Sequence, residues 1–172
     1  HVPGVDMSTG SLGQGLSVAL GMAMYGKANQ LGNRVFCIMG DGEIQEGQVW
    51  EAAMAAGYYK ADNLIAFVDN NKLQLDGPLT EVMSPYPIGE KFKAFGWNVI
   101  EVDGSDVEQI DSAITLGTLK VGKPTVIVAD TVKGKGVSVF ENQVRFHGGH
   151  PTAEEFAKAY AELDAKLKEL EA

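Results

Sequence analysis

Apolar positions follow two rhythms along the chain. Four short, largely apolar runs stand at Arg34–Met39 (RVFCIM), Leu64–Val68 (LIAFV), Trp97–Val102 and Pro124–Ala129 (PTVIVA), and they predict buried strands. Between them lie segments with helical spacing. Leu12 to about Gln30 carries Leu16, Ala19, Leu20 and Met24 on one predicted face, and Gln48–Lys60 is Ala-rich. Ile88–Phe95 and Asp106–Leu116 read as shorter helices, with Asp106 near a first turn where the helix dipole favours an acid. Thr152–Glu171 is a closing helix, and the polar, Pro-containing stretch Lys72–Pro87 reads as a loop. Strands separated by helices predict βαβ crossovers. The expected fold is α/β, a parallel sheet flanked by helices on both faces, in one domain spanning residues 1–172.

The closing helix places Phe156, Tyr160, Leu163, Leu167 and Leu170 on one narrow seam. Packing on the chain's own sheet is the first expectation for such a seam. A partner subunit is the alternative.

Composition adds three constraints. The formal charge is −9, which repels polyanions, and no Lys/Arg run offers a local exception, so neither nucleic acid nor an anionic membrane is an expected partner. The longest apolar runs are too short to span a bilayer as a helix. Cys37 is the single cysteine, which excludes intrachain disulfides and cysteine-rich metal sites. In the middle of an apolar strand it reads as a small buried hydrophobe. A reducing, cytoplasmic compartment is expected, without a signal peptide. His1 in place of Met reads as a tag remnant or a cut end.

Glycine is in excess, with 21 of 172 residues, and it clusters between apolar segments. Such clusters predict tight turns where backbone approaches a ligand. Two predicted strands end in polar residues, the first in Gly40-Asp41-Gly42 and the second in Asp69-Asn70-Asn71. Asp41 and Asn71 are 30 residues apart, the length of one strand–helix–strand excursion. If those strands are neighbours, a carboxylate oxygen and an amide oxygen meet beyond the sheet, and both are hard ligands suited to Mg²⁺ or Ca²⁺. One carboxylate suffices for a cation that also holds a phosphorylated ligand, and a neutral amide adds an oxygen without repulsion. Each element taken alone is an ordinary turn former; the matched pair is what points to a site.

Two decoys fall away. Gly117 to Lys123 has P-loop spacing, but Pro124 replaces the hydroxyl residue and the glycines precede a strand. Lys133-Gly-Lys-Gly136 lacks dinucleotide spacing, although it could help to hold a phosphate.

These residues resemble a known family. Gly40-Asp41-Gly42 followed after one crossover by Asn70-Asn71 is similar to the thiamine-diphosphate binding motif. GDGEIQEGQVWEAAMAAGYYKADNLIAFVDNNKLQLDG (Gly40–Gly77) resembles transketolases, especially the N-terminal subunit of two-component bacterial and archaeal forms. PGVDMSTGSLGQGLSVALGMA (Pro3–Ala23) resembles the family's segment over the cofactor, and VKGKGVSVFENQVRFHG (Val132–Gly148) its later cofactor-side loop. The resemblance runs nearly the whole chain, in order.

It implies thiamine diphosphate and Mg²⁺ (or Ca²⁺) as cofactors, in the thiamine-diphosphate-binding fold. Asp41 and Asn71 would ligate the metal by side chain and Leu73 by its backbone carbonyl. Gly40 and Gly42 would shape the turn, with Gly42 against the diphosphate. Gly10 and Leu12 would contact the cofactor from upstream, and Leu75 would pack near the thiazolium, with plain core as its alternative. His147 would sit by the diphosphate and face the substrate channel as the catalytic candidate. His147 and His150 as ordinary surface residues is the alternative. Glu46 and Glu51 would lie at a contact between subunits, although acids at a helix start also suit the dipole locally.

In the family the aminopyrimidine is met by a carboxylate from a separate pyrimidine-binding domain. No segment here resembles that domain, and the family's N-terminal stretch before Pro3, with its substrate-contacting histidines, is also missing from this sequence. The expected function is the diphosphate- and Mg-binding domain of a transketolase of pentose phosphate metabolism, inactive alone. It would work as a homo-oligomer, with a pyrimidine-binding subunit, or both. A two-carbon ketol unit would pass between sugar phosphates. The alternatives are a truncated non-catalytic cofactor-binding module, or a domain of a deoxyxylulose-phosphate synthase or 2-oxoacid dehydrogenase.

Overall fold

The computed structural model describes residues 2–171. In chain order the elements are α1 (Gln14–Ala28), β1 (Val35–Gly40), α2 (Gly47–Tyr58), β2 (Leu64–Asn70), β3 (Leu73–Gln74), β4 (Gly77–Pro78), α3 (Leu79–Val82), α4 (Ile88–Ala94), β5 (Asn98–Asp103), α5 (Val107–Thr118), β6 (Thr125–Asp130) and α6 (Ala153–Leu170). Single 3₁₀ turns occur at Glu43–Gln45 and Val144–His147. All four predicted strands and five predicted helices are present, with ends displaced by a residue or two. Inside the predicted loop 72–87 lies a small antiparallel hairpin, β3–β4, followed by α3. Two-residue strands are too short to carry a legible period.

The main sheet has the order β1-β2-β6-β5, and every pair is parallel. β2 and β6 lie in the middle, and their runs LIAFV and TVIVA are buried nearly throughout. This is why they read as continuous apolar segments rather than alternating ones. β1 is an edge strand and alternates, with Cys37 and Met39 buried while Phe36 and Ile38 are exposed.

The helical cover is unequal. α1, α2 and α4 pack on one face, where Leu16, Leu20, Val49, Ala53 and Phe92 meet Met39, Ala66, Val68 and Val126 in the main core. α5 covers the other face through Ala113 over Ile65 and Ile127. Among the described residues no helix covers the outer side of β1, and Ile38 is 77% exposed. On α1 the buried stripe runs Leu16, Ala19, Leu20, Ala23, and Met24 faces outward.

α6 departs from expectation. Its seam residues Phe156, Tyr160, Leu163, Leu167 and Leu170 are all exposed, and only Ala159 is buried. The helix begins with a capping box between Thr152 and Glu155. Polar contacts tie it to the preceding segment: Glu162 accepts from Ser138, Lys166 donates to the Gly136 carbonyl at 2.6 Å, and Arg145 pairs with Glu155. Those tethers fix which face turns inward, and the seam is not that face.

One close approach sets the packing of α2. A Cβ added at Gly57 would lie 1.9 Å from the Phe95 backbone oxygen. In a free helix Gly→Ala gains about 1 kcal/mol. Here Gly57→Ala is expected to cost on the order of 1–3 kcal/mol, because α2 has to be pushed off the end of α4. Urea unfolding of the two proteins checks the sign.

Candidate functional site

The site begins where β1 and β2 stop together. Gly40 pairs with Asp69 across the two strands, so the Gly40-Asp41-Gly42 turn and the Asp69-Asn70-Asn71 segment emerge at the same level. The Asp41 N–H continues the ladder to the Asp69 carbonyl at 3.1 Å. The Asp41 side chain then points inward and is 1% exposed. One carboxylate oxygen accepts the Gly42 N–H at 2.8 Å and the other accepts the Lys72 N–H at 2.5 Å. Two N–H bonds occupy about half of a carboxylate's lone-pair sites. Burial, helped by the neighbouring Asp69 charge, holds the Asp41 carboxyl above its ordinary value, against the two backbone N–H groups that favour the anion.

The bond from Lys72 brings the two predicted halves of the site together, since Lys72 stands between Asn71 and Leu73. Lys72 has φ +70°, a left-handed conformation that a side-chain-bearing residue adopts at a cost. Its N–H reaches Asp41, and its ammonium pairs with Asp130 at the end of β6 at 2.5 Å. The Asn71 amide oxygen accepts the Leu73 N–H at 3.1 Å, and its amide nitrogen donates to Asp69 at 3.2 Å. Leu73 then enters the β3–β4 hairpin.

The other candidate residues gather around this point to different degrees. Gly13, at the start of α1, donates its N–H to Glu43 at 3.1 Å, and the second Glu43 oxygen accepts from Gly40 at 3.1 Å. Glu43 therefore fastens the loop carrying Gly10 and Leu12 to the Gly40–Gly42 turn. Gly10 and Leu12 are exposed. Leu75 lies at the hairpin tip and is 64% exposed, so the plain-core alternative fails for it. The 3₁₀ turn that ends in His147 packs against β3, and His147 and His150 are both exposed. Glu46 stands at the N-terminus of α2 without capping it, and Glu51 follows one turn later; both are exposed. Cys37 is buried under α1, and burial, then the Glu43 charge, pushes its thiol up to about 11.

The glycines of the turn act differently from expectation. Neither Gly40 nor Gly42 has a positive φ; Gly42 sits at φ −69°. What Gly42 lacks is room, since a Cβ there would stand 3.1 Å from the Cβ of Gln74. The small residue admits the hairpin beside the turn. The strained glycine is Gly13, with φ +83°, where an added Cβ would stand only 2.8 Å from Glu46 Cβ.

A cleft of about 400 Å³ opens beside these residues, lined by Asp69, Asn71, Ser105, Thr131, Lys133 and Lys135. It lies beyond β2 and β6, whose neighbours in sequence lead away in opposite directions, which is the switch point where ligands of open α/β sheets bind. Another cleft of about 400 Å³, lined by Lys27, Arg34, Asp62 and Lys120 among others, is at the opposite end of the strands and holds none of the motif residues. The P-loop-like Gly117–Lys123 segment is also at that end, leading into β6. Sequence reasoning missed Glu43, Lys72, Thr131 and the role of Asp69. For Asp69 and Thr131 a signal existed, since Asp69 follows the run Leu64–Val68 directly and Thr131 stands one residue beyond the run that ends at Ala129.

Asp41 generates a pH test on the cofactor-free protein. A carboxyl whose value is raised by folding contributes stability that is fully present below the unfolded value and lost as pH rises through the folded one. Asp41→Asn has no such loss. The variant's melting temperature minus that of the original protein should therefore increase from pH 4.5 to pH 7.5. A difference that is flat or falls over that interval would show that burial of this charge is not the dominant effect.

Comparison with known proteins places the chain. The family model described as transketolase, thiamine diphosphate binding domain, matches residues 1–169. An apulose-4-phosphate transketolase subunit of Phocaeicola vulgatus is 42% identical over 171 residues, covering 99% of this chain and 61% of that protein. The 6-deoxy-6-sulfo-D-fructose transketolase subunit of a Clostridium species is 46% identical over 161 residues, covering 94% of this chain and 58% of that protein. The chain thus spans about three-fifths of the length of these relatives. Among solved structures, transketolase from Campylobacter jejuni superposes with a TM-score of 0.85 at 32% identity, over 92% of this chain and 26% of that one. The chain belongs to the family of transketolase thiamine diphosphate binding domains.

Proposed function

We propose that this chain holds the divalent cation and the diphosphate of thiamine diphosphate within a transketolase that transfers a two-carbon ketol unit between sugar phosphates. The single observation that carries this reading is the Asp41–Lys72 bond, which sets a buried carboxylate with spare lone pairs against the Asn71–Leu73 loop. The donor set fits Mg²⁺, or Ca²⁺ in its place: a carboxylate, an amide oxygen and a backbone carbonyl, all hard oxygens. Among the described residues no three His, Cys, Asp or Glu side chains gather as a metal group, so a cation here depends on the Asn71 and Leu73 oxygens and on the ligand's own phosphates.

Thiamine diphosphate, when bound, supplies the electron sink for breaking the carbon–carbon bond. The chain's own residues do the holding. Asp41, Asn71 and Leu73 ligate the cation, Gly42 faces the diphosphate, and Lys133 and Lys135 in the adjoining cleft offset its charge. The Gly10–Leu12 loop, fastened by Glu43, closes over from the upstream side. The exposed Leu75 offers an apolar surface to the ring. The exposed His147, on a turn against β3, donates to or accepts from the substrate in its channel.

The pyrimidine end requires a partner subunit, and two relatives of this chain are themselves named as transketolase subunits. Exposed Glu46 and Glu51, with the exposed Met22, Met24 and Met54 nearby, form the proposed contact face, for that partner, for a second copy in a dimer, or for both. Val49 and Trp50, which follow Glu46 closely in sequence, belong to the core instead, Val49 wholly buried and the Trp50 ring tilted against Phe92. Residues 1–172 act in this reading as one diphosphate-binding domain of a cytoplasmic enzyme. Among the described residues no helix is long and apolar enough to cross a membrane.

Titration calorimetry tests the cation's part. Thiamine diphosphate should bind with Mg²⁺ and hardly at all in EDTA, and equal binding in both would overturn the reading. Ketol transfer should be absent from the chain alone and appear on mixing with a pyrimidine-binding transketolase subunit. Sedimentation of the chain alone at micromolar concentration reads out the proposed self-contact, since a clean monomer removes the homodimer and leaves the partner subunit.

A further inference from the structure

Asp69, the last residue but one of β2, stands between two neighbours, paired with Gly40 of β1 on one side and Ala129 of β6 on the other. Both oxygens of its carboxylate accept from side chains. One oxygen accepts the Thr131 hydroxyl, and the other accepts the Asn71 amide N–H at 3.2 Å. Thr131 is itself fixed, because its backbone N–H donates to the Asn70 carbonyl at 3.2 Å. The carboxylate is thus oriented from β6 and passes that orientation on to Asn71.

An asparagine amide has a donating end and an accepting end of nearly the same shape, and only its partners decide which way round it sits. An ionised carboxylate accepts and never donates. The end of Asn71 that meets Asp69 must therefore be the NH₂ end, and the oxygen must face the other way, toward the Leu73 N–H and the side of the loop that meets Asp41. Turned over, Asn71 would present two N–H donors to a cation, and the site would have lost an oxygen. We infer that Asp69, braced by Thr131, is a positioning residue that locks the Asn71 amide with its oxygen toward the cation. This rests on the reading of Asn71 as a metal ligand. It assigns Asp69 no contact with metal or substrate. Groups that hold a ligand from behind commonly change metal affinity by about 10–100-fold when removed.

Two variants separate the possible causes. Asp69→Asn keeps the shape but can present either a donor or an acceptor to Asn71. Thr131→Val keeps the Asp69 charge and removes only the hydroxyl that braces it. The first readout is the side-chain amide resonance pair of Asn71 in ¹⁵N-labelled protein without cofactor, assigned by its disappearance in Asn71→Ala. In the original protein one proton of the pair should be shifted downfield by the carboxylate. That shift should be lost in Asp69→Asn and reduced in Thr131→Val. The second readout is the Mg²⁺ dissociation constant measured with thiamine diphosphate present. It should rise at least about tenfold in Asp69→Asn and by a smaller factor in Thr131→Val, where the loss of a negative charge cannot be the cause.

If Asn71→Ala leaves the Mg²⁺ constant unchanged, the reading of Asn71 as ligand fails, whatever Asp69 does. If Asn71→Ala weakens Mg²⁺ binding while Asp69→Asn leaves both the amide resonances and the constant within twofold, the positioning role is overturned. Should Asp69→Asn fail to fold, Thr131→Val decides alone: unchanged Asn71 resonances and an unchanged constant overturn the inference.

Discussion

The burial of the Asp41 carboxylate is the constraint from which the site's geometry follows. A carboxylate that is 1% exposed is costly unless donors surround it, and here the donors are backbone N–H groups, not cationic side chains. One comes from the next residue, Gly42; the other comes from Lys72, 31 positions away, on the far side of a whole crossover. To deliver that N–H, Lys72 takes up a left-handed backbone conformation that disfavours any side chain. Both costs are borne by the cofactor-free fold. A cation at this point would offset the first, because it replaces the missing counter-charge without adding a second buried acid.

Register does the rest. Parallel strands β1 and β2 align Gly40 with Asp69, and β2 and β6 align Asn70 with Asp130, so three strand ends form a level rim. A slip of one residue along β2 would turn Asn71 to the other side of the sheet and put Asp69 in the place of Asn70. The buried sets Leu64, Ala66 and Val68 on one face and Ile65 on the other prevent that slip, since each would exchange faces. Core packing and site geometry are in this sense the same restraint.

The sequence made the sheet legible because its two central strands are buried on both faces and read as unbroken apolar runs. It made the two loops of the candidate site legible because polar residues stand directly after apolar runs. Three things stayed hidden, each for a physical reason. The β3–β4 hairpin is two residues deep, below any detectable period. The seam of α6 has the spacing of a packed helix, but the helix is oriented by polar tethers to Ser138, Gly136 and Arg145, and spacing says nothing about those. Gly42 reads in the sequence as the glycine of a sharp turn, whereas its backbone is ordinary and the shortage is of space beside Gln74. A glycine kept for close approach and one kept for a positive φ look alike in a sequence. Gly13, which meets both demands, would have been classed correctly by either argument.

Charge illustrates how a global quantity can mislead about a local one. The chain carries a formal charge of −9, and this argues well against polyanionic partners, whose contacts extend over many ångströms. A diphosphate is different, because it occupies a single point and samples the field within roughly a Debye length, about 8 Å at physiological salt. Within the rim the balance differs from that of the whole chain. Lys133 and Lys135 line the cleft, and the Lys72 ammonium pairs with Asp130 at the end of β6. At the end of β5 the Asp103 carboxyl is lowered first by its Ser105 hydrogen bonds and then by the nearby Lys135 charge. The acids present are mostly committed: Asp69 to Thr131 and Asn71, Asp130 to Lys72, Asp103 to Ser105. An acid already hydrogen-bonded to donors repels a neighbouring anion less than its formal charge suggests, because those donors point their positive ends into the same space. The rim can therefore accept a small, highly charged ligand in a chain whose total charge would repel a large one.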